Sequence, residues 1–355
     1  MNPPSTPTAR APSRTRGFTL VEILVAMVIG MIGMIIMLQV FATAEGQKRA
    51  TTGTGDAQTS GAMAIYDLQR DIRQSGYGFN SLSLLNCTLN LGYPTPLPAF
   101  APAFINPRKA DGSLLLPAGD ANTDSLLVIS GDAGGSPEGD AITLVAGAQV
   151  ALQNRANYAD NLNHWAIAGP ATATAGCALA LGRASAAGLP NPRVNLTAGG
   201  ASVGGLLFDL GLNPSFRAYA IRGGNLTACD YLVNDCSIAG NAGNAAIWVP
   251  IAENVVSLRL QYGRDTSVPM NGVDTWDRTT PTTPCDWVRV SALRLAVVAR
   301  NGQPDRDPLT LVAPTWEGSA NAPIDLGARA NWQNYRYRVF ETVVPIRNLP
   351  WMARC

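Results

Sequence analysis

The sequence predicts an α+β fold, in which a long N-terminal membrane-spanning helix packs on a C-terminal antiparallel β-sheet domain with long loops. Three observations support this prediction. The 24 residues from Phe18 to Phe41 are almost entirely apolar. Residues 63–74 repeat apolar side chains every three or four positions, as an amphipathic helix does. Beyond residue 79, short strand-like runs alternate with turn clusters in a chain that contains 35 glycines and 25 prolines.

The composition argues against several classes of enzyme and binding protein. Basic and acidic residues number 26 and 25, so the net charge of +1 gives no electrostatic case for a nucleic-acid partner. Neither Lys48 nor Lys109 lies in a Gly-Lys-Ser/Thr phosphate loop. The single histidine, His164, rules out a zinc site built on several histidines. No nucleophile elbow or complete dinucleotide fingerprint occurs. We therefore predict no catalytic residue, no cofactor and no resident metal.

The apolar run near the N-terminus has the length of a membrane span. At about 1.5 Å per residue, 24 residues cross a hydrocarbon core of roughly 30 Å. Residues 1–17 carry three arginines and no acidic residue, so the positive-inside rule places them in the cytoplasm and sends the following chain across. A secretory signal peptide has a shorter apolar region and a small-x-small cleavage site. The run is therefore predicted to be a membrane anchor.

One acidic residue, Glu22, lies inside this apolar run. An ionisable group in a membrane span costs on the order of 2–3 kcal/mol and is a functional candidate by default. The simpler alternative is an interfacial carboxylate that reaches the lipid headgroups. Cleavage after Gly17 would remove the three arginines and create a positive amine on Phe18. That amine would be a natural partner for the Glu22 carboxylate of a neighbouring chain in the same low-dielectric layer.

The segment from Arg16 to Glu22 (RGFTLVE) resembles the leader junction of type IV pilins and type II secretion pseudopilins. The resemblance implies that prepilin peptidase cleaves between Gly17 and Phe18 and methylates the new N-terminus of Phe18. It also implies that Glu22 guides subunit docking. The chain departs from many major pilins in having no proline between Phe18 and residue 76.

The predicted organisation follows from these features. Residues 1–17 are the cytoplasmic leader that is removed, and 18–41 are the transmembrane and assembly helix. Residues 42–78 are the periplasmic continuation of the helix, and 79–355 are the periplasmic β-rich domain. Gly53, Gly55 and Gly61 predict a weak or locally melted helix over 42–61. Helical periodicity returns at Met63, Ile65, Leu68 and Ile72, and glycines at 76 and 78 end the helix.

Strand signals recur through the rest of the chain. The segments are 125–130, 141–146, 246–250, 255–262, 288–299 and 335–346. The Gly/Ala/Asn-rich stretches 168–205 and 237–245 are predicted to be loops or poorly ordered insertions. In the last strand, Arg336 and Arg338 point from one face, which indicates either a solvated surface or a contact for an acidic neighbour.

Three further segments resemble the PilW kind of minor pilin. They are 68–77 (LQRDIRQSGY), 253–263 (ENVVSLRLQYG) and 338–348 (RVFETVVPIRN). The resemblance implies a structural or priming subunit of the type IV pilus, with a role in adhesion and twitching motility. The implied partners are other minor pilins, the major pilin, prepilin peptidase, an inner-membrane assembly platform and a PilY-type tip adhesin. The implied location is the bacterial inner membrane, with a single pass and a periplasmic C-terminal domain, and then the pilus.

Two other classes of protein remain open at this point. A J-type minor pseudopilin at the tip of a type II secretion system has the same leader and helix. The other class is a membrane-anchored periplasmic binding or enzymatic domain whose N-terminus only mimics the leader. This class predicts no cleavage after Gly17 and tolerance of Glu22 replacement.

Six cysteines fit disulfides in an oxidising periplasm. Six cysteines allow 15 pairings, and the sequence cannot choose among them. A local bridge between Cys229 and Cys236 is the favoured pair, and Cys285 with Cys355 is a second suggestion. Cys87 and Cys177 are the remaining candidates. Because no Cys-x-x-Cys occurs, a zinc site is not expected.

Two polar features are weaker candidates. Asp132, Glu138 and Asp140 could together bind calcium, since hard cations take clustered carboxylates, but a polar hairpin loop is the favoured interpretation. His164, beside Trp165, is interpreted as a packed or surface histidine.

Overall fold

The computed structural model describes residues 17–132, 136–154, 163–174, 176–186, 193–197, 199–319, 322–349 and 355. The chain divides into two compact units, Met1–Thr52 and Gly53–Cys355. The α+β class is confirmed, with an apolar N-terminal helix and a C-terminal antiparallel β-rich domain. Within the described residues, one helix is long and apolar enough to cross a membrane.

Helix α1 spans Leu20–Gln74 without interruption. The prediction of a weak or melted helix over 42–61 is therefore wrong. Threonines in this region bond their hydroxyls to carbonyls four residues back, as Thr51 does to Gln47 at 3.0 Å and Thr59 to Gly55 at 3.0 Å. These hydroxyl groups are satisfied inside the helix and do not compete with its backbone. As predicted, the helix ends just before Gly76, whose φ of +80° suits glycine.

The described residues form sixteen strands and one further short α-helix. The strands are β1 Thr88–Asn90, β2 Ala103–Ile105, β3 Leu126–Ser130, β4 Asp140–Ala146, β5 Gln149–Leu152, β6 His164–Gly169, β7 Ala178–Ala186, β8 Arg193–Leu196, β9 Leu206–Gly211, β10 Ser215–Arg222, β11 Asn225–Asp230, β12 Val249–Ala252, β13 Val255–Arg264, β14 Thr275–Asp277, β15 Val290–Arg300 and β16 Tyr337–Pro345. Helix α2 spans Pro284–Val288. Every predicted strand has a counterpart, although the one at 246–250 begins later, at Val249.

The first sheet is barrel-like. Its order is β1-β7-β6-β9-β4-β5-β8, and β7 also pairs with β8, which closes the ring. The prediction of loops or poorly ordered insertions over 168–205 is wrong for 178–186 and 193–196, where β7 and β8 lie, and residues 175, 187–192 and 198 of this range lie outside the described residues. Many of the barrel's inward side chains are alanines, including the fully buried Ala166 and Ala184. Small residues let the strands close tightly, but they do not produce the alternation that indicates a strand. Residues 237–245 contain no strand, as predicted.

The other two sheets form the main core. The second has the order β12-β11-β10-β3-β2, and the third has the order β14-β13-β15-β16, all antiparallel. Leu258, Leu295 and Val344 point from the third sheet into the large core cluster that also receives α1. The opposite face of the third sheet is covered by a loop that contributes Trp316 and Ile324. The two central strands of the third sheet, β13 and β15, are thus buried on both faces.

The packing of α1 on β16 makes a prediction about two helical glycines. A Cβ on Gly61 would lie 2.0 Å from Cε2 of Phe340, whereas one on Gly55 would meet nothing within 4 Å. We expect Gly55→Ala to raise the free energy of unfolding by up to about 1 kcal/mol, because alanine favours helix. Gly61→Ala should lower it by about 1–2 kcal/mol, because overpacking outweighs that gain.

The measurement is denaturant unfolding of the full chain in detergent, followed by tryptophan fluorescence. Equal stabilisation by the two substitutions would show that the Phe340 ring moves aside freely, and that the close approach of helix and strand does not depend on Gly61.

Candidate functional site

The candidate site begins at the junction before α1. Gly17 is exposed with open space around it, and the side chain of Phe18 is 80% exposed. The described part of the chain begins at Gly17, so the predicted leader residues before it lie outside the described residues. On the described side, the backbone at the predicted cleavage position is accessible.

Thr19 and Glu22 form a reciprocal cap at the first turn of α1. The backbone N–H of Glu22 donates to Thr19 Oγ1 at 3.3 Å, and the backbone N–H of Thr19 donates to Glu22 Oε2 at 3.4 Å. This Thr-x-x-Glu arrangement is a capping box, and the carboxylate also lies favourably at the positive end of the helix dipole. The capping role of Glu22 was not among the predictions, although the Thr-x-x-Glu spacing from Thr19 to Glu22 indicates a capping box.

The helix surface after this cap is apolar and exposed. All residues from Gly17 to Gln47 are exposed, and the most apolar 18-residue window of the helix has a mean hydropathy of 2.7. Gly30 and Gly33 have nothing within 4 Å of where a Cβ would lie, so they form shallow gaps in this surface. An apolar surface of this extent is far larger than soluble monomers expose, and it fits a membrane anchor or a helix-packing surface.

The C-terminal turns of α1 belong to the second unit, Gly53–Cys355, which we call the globular unit. They pack on its sheets through small and branched side chains. Ala57, Ala64, Leu68 and Ile72 are all buried. The predicted apolar stripe is correct at Leu68 and Ile72 but wrong at Met63, whose side chain is 53% exposed. Alanines occupy the packing face because the helix lies too close to the sheet for longer side chains.

Polar contacts fix the same turns to the second and third sheets. Asp71 is only 6% exposed and accepts from the hydroxyl of Tyr219, from Arg70 Nε at 3.3 Å and from Arg217 at 3.5 Å. Gln69 Nε2 donates to Thr342 Oγ1 at 2.7 Å. Burial, and then the charge of Asp71, raise the pKa of Tyr219. The charged residues of this segment thus include a buried carboxylate.

Asn348 closes the C-terminal end of α1. Its Nδ2 donates to the carbonyls of Ser75 at 3.0 Å and of Arg73 and Gln74 at 3.4 Å each. These are carbonyls that a helix end leaves without an intrahelical partner. A Cβ on Gly76 would lie 2.7 Å from the Asn348 carbonyl oxygen, so the close approach also requires glycine. Two of the segments singled out in the sequence, 68–77 and 338–348, therefore meet here.

Three disulfides join the six cysteines. The pairs are Cys87–Cys177, Cys229–Cys236 and Cys285–Cys355, with Cα–Cα distances of 4.8, 6.0 and 5.5 Å. The second and third are the two pairs that the sequence analysis suggested. Cys87–Cys177 attaches the region after α1 to the barrel strand β7, where Thr88 also pairs with Ala178. No described cysteine is left as a free thiol.

The remaining candidates have structural partners. Asp132 accepts from the backbone N–H of Asn213 at 2.7 Å. Part of the loop between Asp132 and Glu138 lies outside the described residues, and no group of three or more metal-binding side chains occurs in the described ranges. His164 is buried, with Nδ1 3.0 Å from the Asp209 carboxylate. Arg336 pairs with Asp305 at 3.1 Å, and Arg338 is exposed.

The cap by Asn348 predicts a graded loss of stability. Asn348→Ala should lower the free energy of unfolding by about 0.5–2 kcal/mol, the usual range for a lost cap. Asn348→Asp should lower it further at pH 7, because a carboxylate beside three carbonyls repels them, and should partly recover below pH 4. Arg347→Ala is the exposed neighbouring control. Urea unfolding measures all three, and an Asp variant as stable as the wild type would contradict this assignment.

The raised pKa of Tyr219 predicts a loss of stability at alkaline pH. A phenol whose pKa is higher in the folded state stabilises that state fully below the unfolded value of about 10, and loses this contribution as pH rises above it. Tyr219→Phe should therefore flatten the decline above pH 10 by up to about 1.4 kcal/mol per pH unit. Urea unfolding between pH 8 and 11 measures this slope. Tyr66→Phe, on the exposed helix face, is the matched control. Identical slopes for the two variants would show that Tyr219 does not cause the alkaline loss of stability.

Comparisons with known families match the two regions described above. The model of the type IV pilus-assembly protein W family matches residues 226–348, about a third of the chain. This range runs from β11 through the third sheet and ends at Asn348, the residue that caps α1. The prokaryotic N-terminal methylation motif matches residues 12–38, across Gly17 and Glu22. No curated protein and no solved structure matches the chain.

Both families belong to pilus structure and assembly and are not enzymes, and the methylation motif fits the apolar helix of a membrane-anchored pilin. The matches support a pilin-like role in pilus assembly. The two family matches, together with the helix and the β-rich domain that they cover, are consistent with a PilW-like minor pilin of the prepilin type.

Proposed function

We propose that the protein is a minor pilin that acts as a structural or priming subunit in type IV pilus assembly. The observation that carries the proposal is the exposed apolar helix that begins at Leu20, three residues after Gly17, within the region matched by the methylation motif. Such a helix requires a lipid or helix partner along its whole length. Neighbouring pilin helices supply that partner after extraction from the membrane.

Processing would occur between Gly17 and Phe18, followed by methylation of the Phe18 amine. The accessible backbone at Gly17 supports this step. Glu22 already turns back toward the helix N-terminus to reach the Thr19 N–H. The new amine on Phe18 would be positively charged, so the Glu22 carboxylate of an incoming or neighbouring subunit could bind it through a charge-assisted hydrogen bond.

The proposed location is the bacterial inner membrane, with the β-rich domain in the periplasm, and then the pilus. Three disulfides in the described residues support an oxidising compartment for that domain. The proposed partners are the major pilin, other minor pilins, prepilin peptidase, the inner-membrane assembly platform and a PilY-type tip adhesin. The match over 226–348 favours the pilus over a type II secretion system.

The first test is the N-terminal mass of the chain recovered from membranes with and without prepilin peptidase. We expect a chain that begins at methylated Phe18 only when the peptidase is present. An uncut chain in both strains would contradict the proposal and favour an anchored periplasmic domain. Two deletion strains then distinguish the assembly systems, one without the pilus genes and one without the secretion genes. The protein should be lost from the sheared surface fraction only in the strain without the pilus genes.

The second test separates the charge of Glu22 from its capping role. Glu22→Gln keeps a side chain that completes a capping box but removes the charge. Thr19→Ala removes the capping partner but keeps the charge. If docking depends on charge, Glu22→Gln should be cleaved normally and incorporated into pili at least tenfold less, while Thr19→Ala is incorporated normally. Immunoblots of sheared pili against whole cells measure incorporation, and the reverse pattern would show that the carboxylate acts only as a cap.

A further inference from the structure

A polar cavity of about 410 Å³ opens on the globular unit. It lies between the β10–β11 turn at Gly223 and a loop over residues 328–335. Asp120, Arg300, Arg329 and Tyr335 are among its lining residues. Neither the pilin features nor the disulfides involve this cavity.

The only carboxylate in the lining, Asp120, is fully engaged in the structure. Its Oδ1 accepts from the Gly223 N–H at 2.9 Å, and its Oδ2 accepts from the Gly224 N–H at 2.8 Å and from Arg329 at 3.0 Å. Both turn residues have positive φ, 57° and 76°, as a two-residue type I′ hairpin requires. Asp120 thus holds the turn and neutralises one of the two arginines.

Arg300 is the second arginine, and no described residue neutralises it. Its guanidinium lies 3.9 Å over the ring of Tyr335, and its Nε is buried without a hydrogen-bond partner. The hydroxyl of Tyr337 lies beside it, but burial raises the pKa of Tyr337, so this neighbour is uncharged at neutral pH. Arg294, earlier on the same strand, shows the contrast: it stacks on Trp276 at 4.1 Å and also pairs with Glu317 at 3.2 Å.

The two guanidinium groups converge on one point of the cavity wall. A Cβ on Gly224 would lie 3.7 Å from a terminal nitrogen of Arg300 and 3.7 Å from one of Arg329. Because Gly224 has no side chain, the space in front of both groups stays open. Two guanidinium groups and one engaged carboxylate leave one uncompensated positive charge at the cavity. Planar guanidinium donors match a carboxylate better than any neutral ligand.

We propose that this cavity binds the carboxylate of an acidic side chain from a partner polypeptide, with Arg300 as the main contact and Arg329 as the second. The face of the Tyr335 ring on which Arg300 lies is not open for a sugar ring to stack. An aspartate or glutamate side chain needs no such stacking surface. This contact is independent of cleavage at Gly17 and of Glu22, so it does not depend on the proposed pilin function.

The test uses the full chain in detergent, labelled with ¹⁵N at arginine and glycine. N-acetylglutamate amide is the probe, N-acetylglutamine amide is its neutral counterpart, and glucuronate is the acidic sugar. The expected result is a saturable shift of the Arg300 Nε–H and the Gly224 N–H with the glutamate probe, with a dissociation constant of about 1–10 mM. The glutamine probe should give no saturable shift.

The variants complete the test. Arg300→Gln should weaken binding of the glutamate probe at least tenfold, and Arg300→Lys should weaken it less, because lysine keeps the charge but loses the planar fork. Arg294→Gln is the matched control on the same strand and should leave binding unchanged. The proposal is overturned if neither acid binds, if the glutamine probe binds equally well, or if glucuronate binds more tightly than the glutamate probe. Should Arg300→Gln fail to fold, the comparison of the probes on the wild type still decides.

Discussion

The fold of the globular unit depends on how the C-terminal turns of α1 are held. Asp71 is the centre of this constraint, since a carboxylate that is 6% exposed must find donors, and Tyr219 and Arg217 on the second sheet supply them. Asn348 donates hydrogen bonds to the carbonyls at the helix end, which have no partner within the helix. The helix is therefore attached to two sheets by side chains that would each be costly to leave without partners.

The features of the chain that local sequence determines were predictable. The apolar span, the helix end at Gly76 and the three long strands of the third sheet (β13, β15 and β16) follow from hydropathy, glycine and alternation. The burial of Asp71 and the exposure of Met63 were not predictable, because they depend on how the helix packs against the second and third sheets. The alanine-rich barrel strands were also missed, since a tightly closed barrel buries small residues that carry little hydrophobic signal.

The candidate site shows the same division. The junction at Gly17, Phe18 and Glu22 can be recognised from sequence because its residues are adjacent. The capping role of Glu22 is also present in the sequence as Thr-x-x-Glu, but the charge of this residue in an apolar run is the more conspicuous feature. The cavity at Arg300 and the cap at Asn348 join residues far apart in the chain, and only the folded structure brings them together.

The Asn348 cap sets an order on biogenesis. Asn348 lies 273 residues after Ser75, whose carbonyl it binds. At synthesis rates of about 5–20 residues per second, the end of α1 stays uncapped for about 14–55 s after it is made. The apolar start of the same helix can enter a bilayer long before that. Insertion of the apolar segment can therefore precede completion of the domain, and a chaperone or protease that samples the unfinished chain meets a helix whose far end is still uncapped.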